Sequence, residues 1–195
     1  MGFFVAMILF PEAQAKAQQE IDLVTGSNRL PTIDDRSRLP YVGRLINELF
    51  RWRPTVPNGI PHVSSKDDIY KGYYIPRGAI VFWNVWAMSR NSDVYHDPEM
   101  FEPDRFLNPS VPVPPTFGYG RRACPGIHYA ESFLFICITS ILATFEIGMA
   151  EDELGDKVAP PLKSRANTFI FHPAPFRFKI TPRSLQYEHL VQAGA

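Results

Sequence analysis

The chain has 195 residues, 45% of them apolar, which suffices for one domain with a real core and excludes disorder throughout. Twenty basic residues balance twenty acidic ones with no long basic run, so charge points to no nucleic-acid surface and no polybasic membrane patch. Nineteen prolines fall in clusters and predict much ordered loop beside the helices.

Met1 to Phe10 is apolar apart from Gly2, but it lacks a basic start and stops at Pro11. It is too short to span a bilayer and does not read as a signal peptide. Pro11 and Glu12 open an Ala- and Gln-rich stretch to Val24, closed by Gly26, which predicts a helix. A loop from Ser27 to Leu39 leads to Pro40. Tyr41, Val42, Leu45, Ile46, Leu49 and Phe50 then form one apolar stripe, a second amphipathic helix ended by Pro54. From Asp67 to Trp83, β-branched and aromatic residues are punctuated by Lys71-Gly72 and Pro76-Arg77-Gly78, the pattern of short antiparallel strands with tight turns. Asn91 to Thr116 reads as an ordered meander. The apolar run Phe133 to Phe145 contains Thr139, Ser140 and Thr144 and reads as a buried helix, not a membrane span. Glu151 to Asp156 is an acidic surface turn, and Ala166 to Thr181 predicts a last hairpin around Pro173-Ala174-Pro175. The expected class is mainly α with small antiparallel β-sheets.

The segment with the most chemistry is Phe117-Gly118-Tyr119-Gly120-Arg121-Arg122-Ala123-Cys124-Pro125-Gly126. Glycines at 118, 120 and 126 permit positive φ and remove Cβ atoms where a large planar ligand must approach the backbone. Pro125 is expected to open a helix at its first turn, which puts Cys124 at a helix N-terminus, among amide donors that suit a metal-binding sulfur. Arg122 suits a carboxylate on such a ligand. His128, four residues after Cys124, raises a Cys/His nucleophile, but no third orienting group accompanies it. A zinc site lacks a Cys-x-x-Cys pair and a second ligand cluster. With only Cys124 and Cys137 in the chain, a reduced setting is the simpler reading. Arg121 is expected to face solvent or an electron-donating partner, and Trp83, Trp86 and Tyr95 to be core aromatics.

Phe117, Gly120, Arg122, Cys124 and Gly126 match the pattern Phe-x-x-Gly-x-Arg-x-Cys-x-Gly, and the loop resembles the haem-binding loop of the cytochrome P-450 superfamily. The resemblance implies the C-terminal part of that fold, with residues 1–195 as a single partial domain and 117–126 as its haem-thiolate loop. It implies haem b (iron protoporphyrin IX) with Cys124 as axial thiolate, and cofactor contacts from Phe117, Gly118, Gly120, Arg122, Gly126 and His62. Glu48 and Arg51 share a helix face and are followed by Pro103-Asp104-Arg105-Phe106, so the resemblance implies that Glu48, Arg51 and Arg105 form the family's structural triad. Asp104 stands where the family often has Glu. Val56, Asn58, Gly59 and Ile60, and later Asn167, Thr168 and Phe169, fall at the family's substrate-contact segments. The implied function is a monooxygenase that inserts one atom of O2 into a small organic substrate with electrons from an NADPH-dependent reductase. The alternative is an inactive truncated product that binds haem weakly or not at all. Gly2 to Met7 looks like the tail of the family's long central helix, so the acidic-Thr segment of that helix is expected upstream of Met1, and apolar surface meant for the missing half is expected to be exposed. The Trp- and Pro-rich strands resemble fungal microsomal members, which implies fungal secondary metabolism and, for a full-length relative, the endoplasmic reticulum membrane.

Overall fold

The computed structural model describes residues 1–26, 28–163 and 169–193. Proline placement sets the helices at the start. Helix α1 (Gly2–Leu9) and helix α2 (Pro11–Thr25) are separated by Phe10 alone, because Pro11 lacks an N–H and pushes its predecessor out of the helical region. Thr32 and Asp35 form a capping box on a 3-10 turn, Ile33–Arg38, inside the expected loop. Helix α3 (Pro40–Trp52) starts on Pro40 and stops before Pro54.

Strands β1 (His62–Val63) and β4 (Ile80–Val81) pair antiparallel around the hairpin of β2 (Asp68–Tyr70) and β3 (Tyr73–Ile75). The hairpin turns at Lys71 and Gly72, both at positive φ, the conformation a two-residue turn of this kind needs. A one-turn helix, α4 (Val85–Met88), then leads into the expected meander, which contains a 3-10 turn at Pro103–Leu107. Helix α5 (Ile127–Thr144) follows the glycine-rich loop and runs directly into β5 (Phe145–Glu151). The acidic turn at Asp152 to Asp156 joins β5 to β6 (Lys157–Val158). Strand β7 (Phe178–Pro182) and helix α6 (Leu185–Ala193) complete the described chain.

Two expectations about the elements are corrected. Helix α5 begins at Ile127, not Pro125: the Ile127 N–H donates to the Cys124 carbonyl in a turn, and the first four-residue bond runs from Ala130 to Gly126. Cys124 therefore sits two residues outside the helix cap. Among the described residues no local hairpin forms around Pro173-Ala174-Pro175: β7 pairs antiparallel with β5 in register Ile147 to Ile180, and positions 166–168 of the expected hairpin lie outside the described residues. That partner strand was hidden in the apolar run that ends the α5 pattern. Helix α6 and strand β1 were also not foreseen.

One cluster forms the core: Ala6 and Met7 of α1, Ala17 and Ile21 of α2, Val42 and Leu45 of α3, Phe135, Leu142 and Ala143 of α5, and Ile147 of β5. By length and composition α5 is the one described helix apolar enough to cross a membrane, with mean hydropathy 1.5, yet Phe135, Ile138 and Leu142 pack into this core. Gln14 is buried on α2 and exchanges two hydrogen bonds with the Ile147 backbone, both 2.9 Å, which ties helix to sheet without leaving a polar group unpaired.

Candidate functional site

Glu48 and Arg51 share a face of α3 and are fully buried. Arg51 donates from Nε and Nη2 to the two Glu48 carboxylate oxygens at 2.7 and 2.8 Å. Arg105, carried by the Pro103–Leu107 turn, donates from Nε to the same carboxylate at 3.0 Å. The remaining guanidinium donors go to backbone carbonyls of the meander: Arg51 to Ser89, Pro98 and Met100, and Arg105 to His96. The Glu102 N–H also donates to Glu48. A loop without a ladder of its own is thus ordered by three side chains, each satisfied by the others and by the loop's carbonyls. Asp104 adds an outer clamp to Lys16 at 2.8 Å and Arg44 at 3.2 Å. Burial alone would raise its carboxyl, but the two cations outweigh burial and leave it below its ordinary value.

The glycine-rich loop folds back on itself through the Cys124 N–H, which donates to the Phe117 carbonyl at 2.8 Å. Phe117 packs edge-on against Phe50 of α3, with ring centroids 5.1 Å apart. Cys124 is a free, exposed thiol. It opens onto a cavity of about 500 Å3 whose wall also carries Phe117, Arg122, His62, Val56, Gly59 and Ile60. Seven of the sequence-nominated site residues therefore share one space. Its floor, which sequence reasoning missed, comes from Phe50, Ala130 and Leu134. Phe50 and Leu134 fall in the apolar runs of α3 and α5 and read as core positions, and Ala130 lies ahead of the α5 run, so nothing local marks them as lining a site.

A cytochrome P450 family model matches residues 2–180. The chain belongs to the cytochrome P450 family. It is 45% identical over 197 residues to the cytochrome P450 monooxygenase claR of Ampulloclitocybe clavipes, covering 98% of this chain and 36% of that protein. A cytochrome P450 monooxygenase of Armillaria gallica is 47% identical over 186 residues, covering 93% of this chain and 36% of its relative. A zebra fish cytochrome P450 solved with abiraterone superposes with a TM-score of 0.83 at 30% identity, over 93% of this chain and 42% of that one. The chain therefore has the P450 fold in part, spans just over a third of the curated relatives it matches, and corresponds to their C-terminal portion.

Several nominated residues lie elsewhere in this P450 fragment. Asn58 and Phe169 are exposed and line no part of the cavity, although the Phe171 N–H, two residues on from Phe169, donates to the carbonyl of Thr55, a lining residue, at 2.7 Å. Asn167 and Thr168 lie outside the described residues. Gly118, Gly120 and Gly126 shape the loop without lining the cavity. His128 is exposed and away from the cavity, so no Cys/His pair forms with Cys124. Trp83 corrects an expectation: it is a wall of the cavity and not a core aromatic, whereas Tyr95 is buried as expected, with burial raising its phenol.

Proposed function

We propose that this chain is the haem-binding C-terminal portion of a haem-thiolate monooxygenase. The observation that carries the reading is the meeting of Cys124, Phe117, Arg122 and His62 on one cavity of about 500 Å3. The donor set fits haem b. A single soft sulfur suits iron, the apolar floor suits a flat macrocycle, and two nitrogen donors on the rim suit its carboxylates. Among the described residues no cluster of three His, Cys, Asp or Glu side chains offers a competing metal site.

In this reading Cys124 would supply the thiolate that holds the haem iron, and the bond from its N–H to the Phe117 carbonyl holds the sulfur-bearing residue in place. Arg122 and His62 would hold its propionates. Gly118, Gly120 and Gly126 let the loop backbone lie close, and residues 117–126 act as one unit within a single partial domain. Val56, Gly59 and Ile60 face the substrate, with Asn58 at the edge; Phe169, together with Asn167 and Thr168, serves as a second contact segment. Glu48, Arg51 and Arg105 keep the meander folded and take no part in bond making. When bound, haem with a thiolate ligand supplies the activation of O2: one oxygen atom enters an organic substrate, the other leaves as water, and two electrons come from an NADPH-dependent reductase. The fungal relatives support a small secondary metabolite as substrate of the whole protein, and the endoplasmic reticulum membrane as its place.

The test is the ferrous carbon monoxide difference spectrum of the purified chain after hemin reconstitution. A red-shifted thiolate band that disappears in Cys124→Ser is expected. A band that survives Cys124→Ser, or no hemin uptake by a chain shown to be folded by circular dichroism, would overturn the haem-binding reading for this chain and favour an inactive product.

A further inference from the structure

The haem-thiolate reading leaves one wall of the cavity without a role. Trp83 follows β4, and its indole lies against Gly59, a buried residue at φ +65°. A Cβ at position 59 would stand 2.5 Å from Trp83 Nε1 and 2.6 Å from Cε2, so the indole occupies a notch that any other residue would fill. The far side of the same ring reaches the cysteine loop, where a Cβ at Gly118 would lie 3.3 Å from Cζ2. His62 meets the indole edge to face, with ring centroids 4.8 Å apart at 86°. One side chain thus touches the segment that carries His62 and the loop that carries Arg122 and Cys124. Its own Nε1 is buried and has no acceptor among the described residues, and the contacts to Gly59, Gly118 and His62 are made by the ring itself.

We propose that Trp83 is a positioning residue for the anionic edge of the haem: seated in the Gly59 notch, it fixes the His62 imidazole relative to the Cys124 loop. This rests on the haem-thiolate reading of the same cavity. It also gives Gly59 a reason that substrate contact does not supply, since the glycine is required by the indole packed on it.

The test is a double-mutant cycle read by hemin titration of the apo chain, with the carbon monoxide spectrum and the apo thermal midpoint recorded for each variant. His62→Ala is expected to weaken hemin binding about tenfold through loss of a charge-assisted contact. Trp83→Ala is expected to weaken it about fivefold alone, but less than twofold once residue 62 is already Ala, because its effect runs through His62. Trp83→Phe keeps an aromatic edge and sheds the unpaired donor, and binding within about twofold of wild type is expected. Gly59→Ala, an independent route to the same displacement, should match Trp83→Ala. Equal losses from Trp83→Ala in both backgrounds, or Gly59→Ala leaving affinity unchanged, would overturn the positioning role. If the Cys124-dependent band persists through such a result, the haem-thiolate reading survives and the positioning role alone fails. If wild type gives no such band, both fall.

Discussion

Glu48 shows how much a single residue can organise. Its carboxylate takes donors from Arg51, Arg105 and the Glu102 backbone, and the Glu48, Arg51 and Arg105 side chains are all buried. Glu48→Ala would leave two buried guanidinium groups without their counter-charge, a loss of about 3–5 kcal/mol, and the meander from residue 89 to 105 should lose its protection in hydrogen exchange. An exchange pattern unchanged in that stretch would show that the loop is held by its own turns. Asp35 offers a second residue-scale prediction, this time in pH. Arg29 donates to both its oxygens at 2.7 and 2.9 Å, burial opposes this, and the Thr32 N–H adds a bond at 2.8 Å, so the carboxyl lies well below its ordinary range. A folded value below the unfolded one of about 3.9 means that this stabilisation is complete above that pH and is lost as pH falls below it. Asp35→Asn should therefore lower stability at neutral pH and flatten the acid limb below about pH 4 in urea titrations. Parallel acid limbs for both proteins would count against it. Residues such as Glu48 and Arg51 were legible because a spacing of three on one helix is a local fact. The seat of Trp83 on Gly59 was not, because 24 positions separate them and nothing in a tryptophan's neighbours says which backbone it will lean on.

At the scale of elements, the helices that open on proline were readable and the long-range sheet was not. Pro11 and Pro40 mark helix starts whatever surrounds them, as the observed first positions of α2 and α3 attest. By contrast β5 continues the apolar run of α5 with no break residue, and its partner β7 lies about thirty residues downstream, so pairing was decided by tertiary packing. The same distance hides the docking of α6. Arg183 places its guanidinium between Asp22 of α2 and the Ala143 carbonyl at the end of α5, at 3.0 Å to each, while its own N–H reaches the Thr144 carbonyl. It thereby supplies a cation and donors where a helix C-terminus needs them, and Tyr187 of α6 donates to Asp22 at 3.1 Å beside it. The Asp22 hydrogen bond raises the Arg183 guanidinium above its ordinary value, which burial only partly offsets. Arg183→Ala should cost about 1.5–3 kcal/mol through loss of charge-assisted bonds, and limited proteolysis should then cleave in or near α6 first. Cleavage unaltered in rate and site would mean that α6 is held by other contacts.

For the molecule as a whole, the distribution of apolar surface is the main physical fact. Tyr129 and Phe133 on α5 stack with centroids 6.1 Å apart, yet they are 77% and 56% exposed. Tyr73 and Tyr74 of β3 are also exposed. The chain covers about 36% of its curated relatives, and a monomer of this size seldom displays paired aromatics on a core helix without a covering surface. In isolation the α5 face should bring copies together. Phe133→Glu removes the centre of that face at a position without a buried contact to lose, so the expected change in folding stability is within about 0.5 kcal/mol. The monomer fraction by size exclusion with light scattering should nevertheless rise several-fold at equal concentration. The two readouts separate the causes. If stability falls by more than about 2 kcal/mol, Phe133 is packing within the monomer and its exposure is not that of a free surface. If both stability and self-association are unchanged, the driving patch lies on the β2–β3 hairpin, and Tyr73→Lys becomes the substitution that should release the monomer.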